Sequence, residues 1–350
     1  MTRALILFTS YLVFAGNILF AQKGLFETDD VWHVRLKGNL KDLLNDRSQI
    51  PKDFPVLFSF MKEDSSQQEI PVQVKTRGHF RRMKSNCEYP PLLIQFPKDG
   101  PHLSTEFKAQ NKLKLVMPCT GDNYVIREWL VYKIYNLINP KSFRARLVKV
   151  TLDDEKNKKQ VNPFYGILLE EEKQMAARNN MISVEKKLKP HQVMPDDFLK
   201  MAVFQYLISN TDWSIQYLQN IKLIAKDSTS ITHAVPYDFD HAGIVHAPYA
   251  RPAPELLMNS IRERRYRGHC MSNLKPFEPV IEQFKGLKND IYGIYANCPL
   301  LDEKYKKNTA QFLDEFFAVI EDPKAWQKAF SYPCDPKGTG NVVIKGLKQD

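Results

Sequence analysis

Short apolar runs recur along residues 32–170, and many of them alternate apolar with polar positions. Gly, Pro and charged turns separate these runs, which is typical of an antiparallel sheet. One stretch differs, because residues 124–138 carry apolar side chains at helical spacing, with Asp122 or Asn123 available as the N-cap. The first half is therefore predicted to be a sheet interrupted by one helix. The predicted strands are residues 32–36, 56–61, 70–75, 91–96, 112–117, 143–152 and 165–170.

The second half changes to helical periodicity. A helix is predicted from Asp196 or Asp197 to Ile208, because either carboxylate can cap it. Two apolar runs, residues 221–225 and 231–235, flank a polar segment and predict a β-hairpin. Amphipathic stretches then predict three further helices, at residues 276–284, 287–296 and 304–320.

These patterns predict an α+β protein with two lobes. The first lobe, residues 22–175, is β-rich, and the second, residues 196–350, is mainly helical and carries the hairpin. Residues 176–195 contain an Asn pair, several Lys and two Pro, which indicates a connector between the lobes.

The first 21 residues have the pattern of a targeting signal. Arg3 precedes an apolar stretch that ends in Leu19, Phe20 and Ala21 before Gln22, which resembles a secretory signal cleaved after Ala21. An uncleaved anchor is the alternative, but the stretch contains polar and small residues and is short for a membrane span. We therefore expect a signal peptide at residues 1–21 and export to the periplasm, the extracellular space or the cell surface. No transmembrane segment is expected after cleavage.

Composition narrows the class of protein. The 350 residues are 43% hydrophobic and 26% charged, which is ordinary for a globular chain and argues against disorder. A formal net charge of +10 favours acidic partners such as phosphates or anionic glycans, while export argues against nucleic acid. In an oxidising compartment the five cysteines allow at most two disulfides and one free thiol, and their pairing stays open. They are Cys87, Cys119, Cys270, Cys298 and Cys334.

Two acidic clusters flank the predicted hairpin. Asp212 precedes it, with Asn220 just before its first strand, and Asp238 and Asp240 follow its second strand. The clusters are therefore expected at one end of the hairpin. Carboxylates so close together repel one another unless a metal ion or protons neutralise them. In phosphotransferases one carboxylate positions the attacking hydroxyl, while an Asn and a second carboxylate hold the metal.

Other interpretations of these residues stay open. Asp212 alone could be a turn residue, and Asn220 could be the first polar residue of a strand. Asp238 and Asp240 enclose the bulky Phe239, which is poor turn chemistry. A zinc hydrolase using His241 or His246 is a rival hypothesis, although no spacing typical of zinc ligands supports it.

Several segments together resemble the CotH-like spore-coat kinases, a secreted bacterial branch of the atypical protein-kinase-like fold, in the same order along the chain. They are the Arg-Gly segment at 75–81, the strand with Lys112 and Lys114, the helix with Arg127, the strand at 165–172, the segment Asn210-Thr211-Asp212-Trp213 and the segment at 236–243.

The resemblance implies a two-lobed protein-kinase-like fold that binds ATP with Mg²⁺ or Mn²⁺. It makes Asp212 the catalytic residue and Asp238 the principal metal ligand, aided by Asn220 or Asp240. A Glu on the first-lobe helix, Glu128, could pair with the nucleotide-binding Lys. The candidate nucleotide-binding residues are Lys75, Arg77, Lys112, Lys114, Glu128 and Glu172.

One departure concerns the catalytic loop. The family places its metal-binding Asn about five residues after the catalytic Asp, whereas Asn220 lies eight residues beyond Asp212, so the loop carries an insertion. The chain is expected to be a kinase-like phosphotransferase acting on a hydroxyl of a protein or surface glycan. The alternative is a catalytically inactive kinase-fold module for binding or assembly in the cell envelope.

The densest basic patch lies at residues 262–269. Arg264 or Arg267 could recognise a phosphate or an acidic substrate by paired hydrogen bonds. An internal ion-pair network with Glu255 and Glu263 is the alternative. The expected partners are thus a nucleotide and an acidic protein or envelope glycan.

Overall fold

The computed structural model describes residues 24–61, 66–156 and 161–331. The predicted signal peptide and Cys334 lie outside these residues. Within them, no helix combines the length and the apolar character needed to cross a membrane.

Seven strands of the first half close into a barrel in the order β1-β2-β3-β4-β5-β7-β6. All pairings are antiparallel except that of β1 with β6, which is parallel and aligns Val34 with Val150. The predicted strands are confirmed, and the predicted antiparallel sheet is in fact a barrel closed by this parallel pair. The strands are β1 (Trp32–Gly38), β2 (Phe54–Met61), β3 (Gln67–Thr76), β4 (Leu92–Gln95), β5 (Lys112–Val116), β6 (Ala145–Asp154) and β7 (Phe164–Leu169).

A second, smaller sheet has the order β10-β9-β8. The predicted hairpin is confirmed as β9 (Ile221–Ala225) and β10 (His233–Pro236). The edge strand β8 (Ile182–Val184) lies within the segment predicted to be a connector. The boundaries of the two predicted lobes stay a prediction.

The helices predicted in the second half are confirmed, whereas three short helices, Leu40–Asn45, Glu172–Arg178 and Pro323–Phe330, were not predicted. The predicted cap by Asp196 or Asp197 is wrong, because that helix begins at Pro195 after Met194 and has no side-chain cap. Helix α2 begins at Asp122 without a side-chain cap, so the predicted cap is wrong; Asp122 Oδ2 instead accepts a hydrogen bond from Tyr165 N at 3.2 Å. The helices are α1 (Leu40–Asn45), α2 (Asp122–Ile138), α3 (Glu172–Arg178), α4 (Pro195–Leu207), α5 (Glu278–Gly286), α6 (Lys288–Ala296), α7 (Glu303–Glu321) and α8 (Pro323–Phe330).

Two apolar cores hold these elements. One fills the barrel, where the inward positions of the strands, such as Val34 and Leu36 on β1, alternate with exposed ones. The other joins α2 to the helices and the small sheet of the second half. Because α2 is buried on most of its surface, it connects the barrel with the second half and fixes the side chains that it sends between them.

One disulfide links two connections of the barrel. Cys87 lies between β3 and β4, and Cys119 follows β5. Cys270 is disulfide-bonded as well, and Cys298 is a buried free thiol. This agrees with the predicted limit of two disulfides and one thiol.

Candidate active site

The β9–β10 hairpin brings the two acidic clusters together. Pro236 pairs with Ile221, and Tyr237 N donates to Asn220 O at 3.0 Å, so Asp238 leaves the hairpin beside Asn220. Both residues have a left-handed backbone, with φ of +63° at Asp238 and +51° at Asn220. Asp and Asn adopt this conformation more readily than most residues, which is why they suit the sharp entry into β9 and the sharp exit after β10.

Asn220 is bound to Asp212 in spite of the long spacing between them. Its Nδ2 donates to Asp212 Oδ2 at 2.9 Å and to Asp212 O at 2.8 Å. The inserted residues fold back on themselves, because Ser214 and Gln219 exchange two backbone hydrogen bonds of 2.9 Å. The insertion therefore forms a closed turn, called the catalytic-loop turn below, and leaves Asn220 Oδ1 available to a ligand.

Asp212 is half-buried and lies among other charged groups. Burial raises the pKa of its carboxyl; His241 and the hydrogen bonds from Gln219 and Asn220 oppose this, whereas Asp238 adds to it. A carboxylate with a raised pKa is a better proton acceptor at neutral pH than an exposed one. Asp212 and Asp238 thus act on one another, as the phosphotransferase hypothesis requires.

The Asp238 carboxylate is partly buried and receives no hydrogen bond from any described residue. Burial raises its pKa, and the neighbouring Asp240 raises it further, while Arg81 and Arg77 oppose the shift. Its backbone N donates to Tyr132 Oη at 2.9 Å, which fixes the main chain from α2. The side chain is therefore held in place but open to a cation.

Arg81 joins the barrel to the second half inside the molecule. Its Nη1 lies 3.8 Å from Glu128 Oε2 on α2 and 3.7 Å from Asp240 Oδ2, and Tyr249 Oη donates to the same Asp240 oxygen at 3.0 Å. The Arg81 side chain is only 9% exposed. Sequence reasoning missed this network, although it singled out the segment that contains Arg81 and the helix that contains Glu128.

The charges of this network depend on one another. Burial would lower the pKa of Arg81, but Tyr249, Asp240 and Glu128 raise it overall. Burial raises the pKa of Glu128 well above its ordinary value, and both Asp240 and Asp238 add to the rise. Glu128 Oε1 and Arg81 Nε have no hydrogen-bond partner among the described residues, so the network is compact but incompletely satisfied.

Lys114 is the first-lobe lysine that faces the site. Its Nζ lies 4.7 Å from the centre of the Tyr237 ring, beside Asp238 in the sequence. Burial lowers the pKa of Lys114 to about 7, helped by Arg77 and Lys222 and opposed by Asp238 and Glu172. The expected pair between this lysine and Glu128 is replaced by the pair between Arg81 and Glu128.

The other predicted nucleotide-binding residues of the barrel differ in whether they lie near the acidic cluster. Arg77 influences the pKa of both Lys114 and Asp238, so it lies close to them. Lys112 shares a strand face with Lys114 as predicted but is exposed, and Lys75 lies 3.4 Å from Asp53. Among the described residues, neither lysine forms an ion pair or a hydrogen bond with the acidic cluster.

Glu172 begins α3 close to the small sheet. Its Oε2 lies 2.8 Å from Lys222 Nζ, and the Ser183 hydroxyl donates to its other oxygen. A nucleotide-edge contact by Glu172 stays a prediction, because this carboxylate already has two partners.

The two arginines proposed for the substrate are engaged within the protein. Arg264 Nη1 pairs with Glu315 Oε2 at 3.0 Å, and its guanidinium lies over the Phe312 ring. Arg267 is buried and donates to Trp213 O at 3.2 Å and to Thr211 O. Because these carbonyls flank Asp212, the hydrogen bonds from Arg267 hold the backbone of the segment that carries Asp212. A substrate contact by either arginine stays a prediction.

Oxygen ligands fit this site better than a zinc set. Within the described residues no group of three or more His, Cys, Asp or Glu side chains is arranged to hold a metal ion. Asp238 and Asn220 lie at the same end of the hairpin, and a carboxylate with an amide oxygen would suit Mg²⁺ or Mn²⁺ completed by phosphate oxygens and water. Asp240 is less available, since Arg81 and Tyr249 contact it. His241 packs edge-on against Phe80 and Tyr249.

Among solved structures, the chain is similar to the crystal structure of a Helicobacter pylori proinflammatory kinase, CtkA. The TM-score is 0.44 at 14% sequence identity, over 73% of this chain and 94% of that chain. Neither a family model nor a curated protein matches the sequence. The resemblance to the CotH-like kinases stays a prediction, and the chemistry of the site must follow from its own residues.

Proposed function

We propose that the protein is an ATP- and metal-dependent phosphotransferase that phosphorylates a hydroxyl group outside the cytoplasm. The observation that carries the proposal is the arrangement at the end of the β9–β10 hairpin. There Asn220 is bonded to Asp212, the Asp238 carboxylate is open, and Lys114 faces the same cluster. A phosphotransferase needs these four kinds of group together.

Asp212 acts on the acceptor. It orients the acceptor hydroxyl and takes its proton while the hydroxyl oxygen forms a bond to the γ-phosphorus. The bond from that phosphorus to the β–γ bridging oxygen breaks, and ADP leaves with the electron pair. The raised pKa of Asp212 supports this role, because the carboxylate is poised to accept a proton.

Asp238 and the Asn220 side-chain oxygen are the residues that would hold Mg²⁺ or Mn²⁺. The cation would neutralise charge on the nucleotide phosphates. Lys114 and Arg77 supply positive charge from the barrel side, and Asn220 also fixes the rotamer of Asp212. The site thus combines positioning with electrostatic stabilisation, the two main contributions to phosphoryl transfer.

The Cys87–Cys119 disulfide supports action in an oxidising compartment, because such bonds persist mainly in exported proteins. The acceptor is then a hydroxyl of a protein or of an envelope glycan. The nucleotide donor would have to be available in that compartment.

Affinity for ATP is expected to fall as the pH rises from 7 to 9. Lys114 has a pKa of about 7 in the free protein, so above that pH most molecules must bind a proton before Lys114 can pair with phosphate. The loss approaches about tenfold for each pH unit. Titration calorimetry with ATP and Mn²⁺ measures it, and Lys112→Met on the same strand face is the control that keeps the dependence. Affinity that does not vary with pH would remove Lys114 from the phosphate site.

The proposed function is tested by phosphate transfer from labelled ATP with Mn²⁺. The wild-type protein should label itself or an added acidic protein, and Asp238→Ala should not.

An inactive envelope module is the second candidate function. It is favoured by the replacement of a Lys–Glu pair with the Arg81–Glu128 pair. The inactive module becomes the supported function if neither the wild type nor Asp238→Ala transfers label and if ATP with Mn²⁺ does not raise the thermal stability of the protein.

A further inference from the structure

A basic groove lies beside the catalytic-loop turn and outside the cluster described above. It encloses about 300 Å³ between the chain that follows β8 and the tip of the turn. Its lining residues are Lys187, Leu188, Lys189, Gln216, Tyr217 and Leu218. The insertion noticed in the sequence, which separates Asn220 from Asp212, therefore forms one wall of this groove.

Strand register explains why the groove adjoins the site. In the antiparallel pair of β8 with β9, Ile182 lies opposite Ala225 and Val184 lies opposite Leu223. The chain beyond Val184 therefore runs toward the start of β9, where Asn220 contacts Asp212. This brings residues 187–189 to the catalytic-loop turn.

The walls of the groove are fixed in position. Leu188 and Leu218 pack against the main core. Ser214 Oγ accepts a hydrogen bond from Tyr217 N at 3.3 Å, and Gln216 Nε2 lies 3.4 Å from Tyr217 Oη. From the same turn, Gln219 Nε2 lies 3.5 Å from Asp212 Oδ1. A ligand bound in the groove would thus be positioned relative to Asp212.

Positive charge in the groove is uncompensated. Lys187 and Lys189 are exposed, and neither forms an ion pair with an acidic side chain in the described part of the chain. By contrast, Lys222, on the neighbouring strand β9, is paired with Glu172. Two exposed lysines in a groove that is also lined by one aromatic and two aliphatic side chains suit a ligand that carries a carboxylate.

The neighbouring edge strand favours a peptide over a glycan. β8 is the last strand of its sheet, and Ile182 on it is 48% exposed. An extended peptide can add to such an edge by backbone hydrogen bonds while its side chains enter adjacent pockets. A saccharide has no row of peptide groups to pair with the strand.

We propose that this groove binds an acidic side chain of a peptide acceptor and so directs a nearby serine or threonine hydroxyl toward Asp212. The assignment rests on the phosphotransferase function and adds the class of its substrate, an acidic peptide. Lys187 and Lys189 provide specificity, and the catalytic-loop turn transmits the position of the peptide to Asp212.

The test measures peptide binding directly. Two fluorescein-labelled serine peptides are compared by anisotropy at about 50 mM salt, where surface charges are weakly screened. One carries glutamates before the serine and the other carries glutamines. The acidic peptide is expected to bind about tenfold more tightly, and this advantage should shrink at high salt. The double variant Lys187→Glu/Lys189→Glu should lose it.

A control with the same change of charge separates the groove from net charge. Lys304→Glu/Lys307→Glu alters two exposed, unpaired lysines on α7 and should keep the preference. Lys187→Arg/Lys189→Arg should also keep it. Equal binding of the two peptides would overturn the proposal that the groove binds an acidic side chain. An unchanged preference for the acidic peptide in Lys187→Glu/Lys189→Glu would overturn it as well. Tighter binding of an oligouronate than of the acidic peptide would overturn the choice of a peptide.

Transfer assays with the same peptides distinguish this inference from the proposed function. Equal phosphorylation of the acidic and neutral peptides would retain the phosphotransferase and remove the groove as its specificity site. Lysine-dependent binding without phosphate transfer would remove the phosphotransferase and, with it, the role of the groove as an acceptor site.

Discussion

Asp238→Asn is expected to abolish phosphate transfer and at the same time to stabilise the protein. The pKa of Asp238 is raised by burial and by Asp240, so its charge is disfavoured in the folded state. Removing that charge without changing the shape of the side chain should raise the free energy of unfolding at pH 7 by about 1 kcal/mol. Transfer should fall by about 10³-fold, because an amide is a poor replacement for the metal-binding carboxylate.

The stability gain should depend on pH in a defined direction. A carboxyl with a raised pKa favours folding most when protonated, and that contribution is lost as the pH rises through its folded-state pKa. The variant should therefore exceed the wild type more at pH 7 than near pH 4, close to the ordinary pKa of an aspartate, in urea denaturation. Asp99→Asn, on an exposed loop, is the control and should change neither quantity. Loss of stability in parallel with transfer would instead make Asp238 a structural residue.

Arg81→Met is expected to lower the free energy of unfolding by about 3–5 kcal/mol, the usual result of removing one partner from a buried ionic network. Methionine keeps much of the volume but leaves Glu128 and Asp240 without the cation that lies 3.8 and 3.7 Å from them. Metal-dependent transfer should also fall, because Arg81 holds the segment that carries Asp238. Urea denaturation and the transfer assay measure the two effects.

A double-mutant cycle identifies the cause of the Arg81 effect. Glu128→Gln should restore part of the stability in the Arg81→Met background, since the pKa of Glu128 is raised and its charge is the unfavourable one. For the same reason the Arg81→Met penalty should be smaller at pH 5 than at pH 8. Arg82→Met, in the same short turn, should cost little, because Arg82 forms no ion pair within the described part of the chain. An additive cycle would show that Arg81 and Glu128 contribute independently.

Local patterns predicted most of the elements and the central pair of the site. Alternation identified the barrel strands, and the two acidic clusters met because a hairpin brings its ends together. The short elements α1, α3 and β8 carry too few residues for a periodic signal. Closure of the barrel also escaped prediction, because pairing of Val34 with Val150 joins distant parts of the chain.

Contacts between distant residues account for the rest of the site. Strand periodicity places Lys112 and Lys114 on one face, but only tertiary packing decides that Lys114 lies over Tyr237. The pairing of Arg81 with Glu128 has no signal in either local segment. The longer Asp-to-Asn spacing weakened the expected site in the sequence, whereas the folded turn absorbs the extra residues. If the insertion had been predicted to fold into a closed turn, the sequence would also have predicted the contact between Asn220 and Asp212.

The Cys87–Cys119 bond has a consequence for the preparation of active material. It joins the segment after Arg81 to the segment after Lys114. The two parts of the chain that carry these cationic side chains are therefore covalently linked. Synthesis in a reducing cytosol would release this link and let the turn with Arg81 detach from the end of β5. Protein secreted into the periplasm of an expression host, with thiol-free buffers afterwards, keeps the two cations aligned for any enzymatic assay.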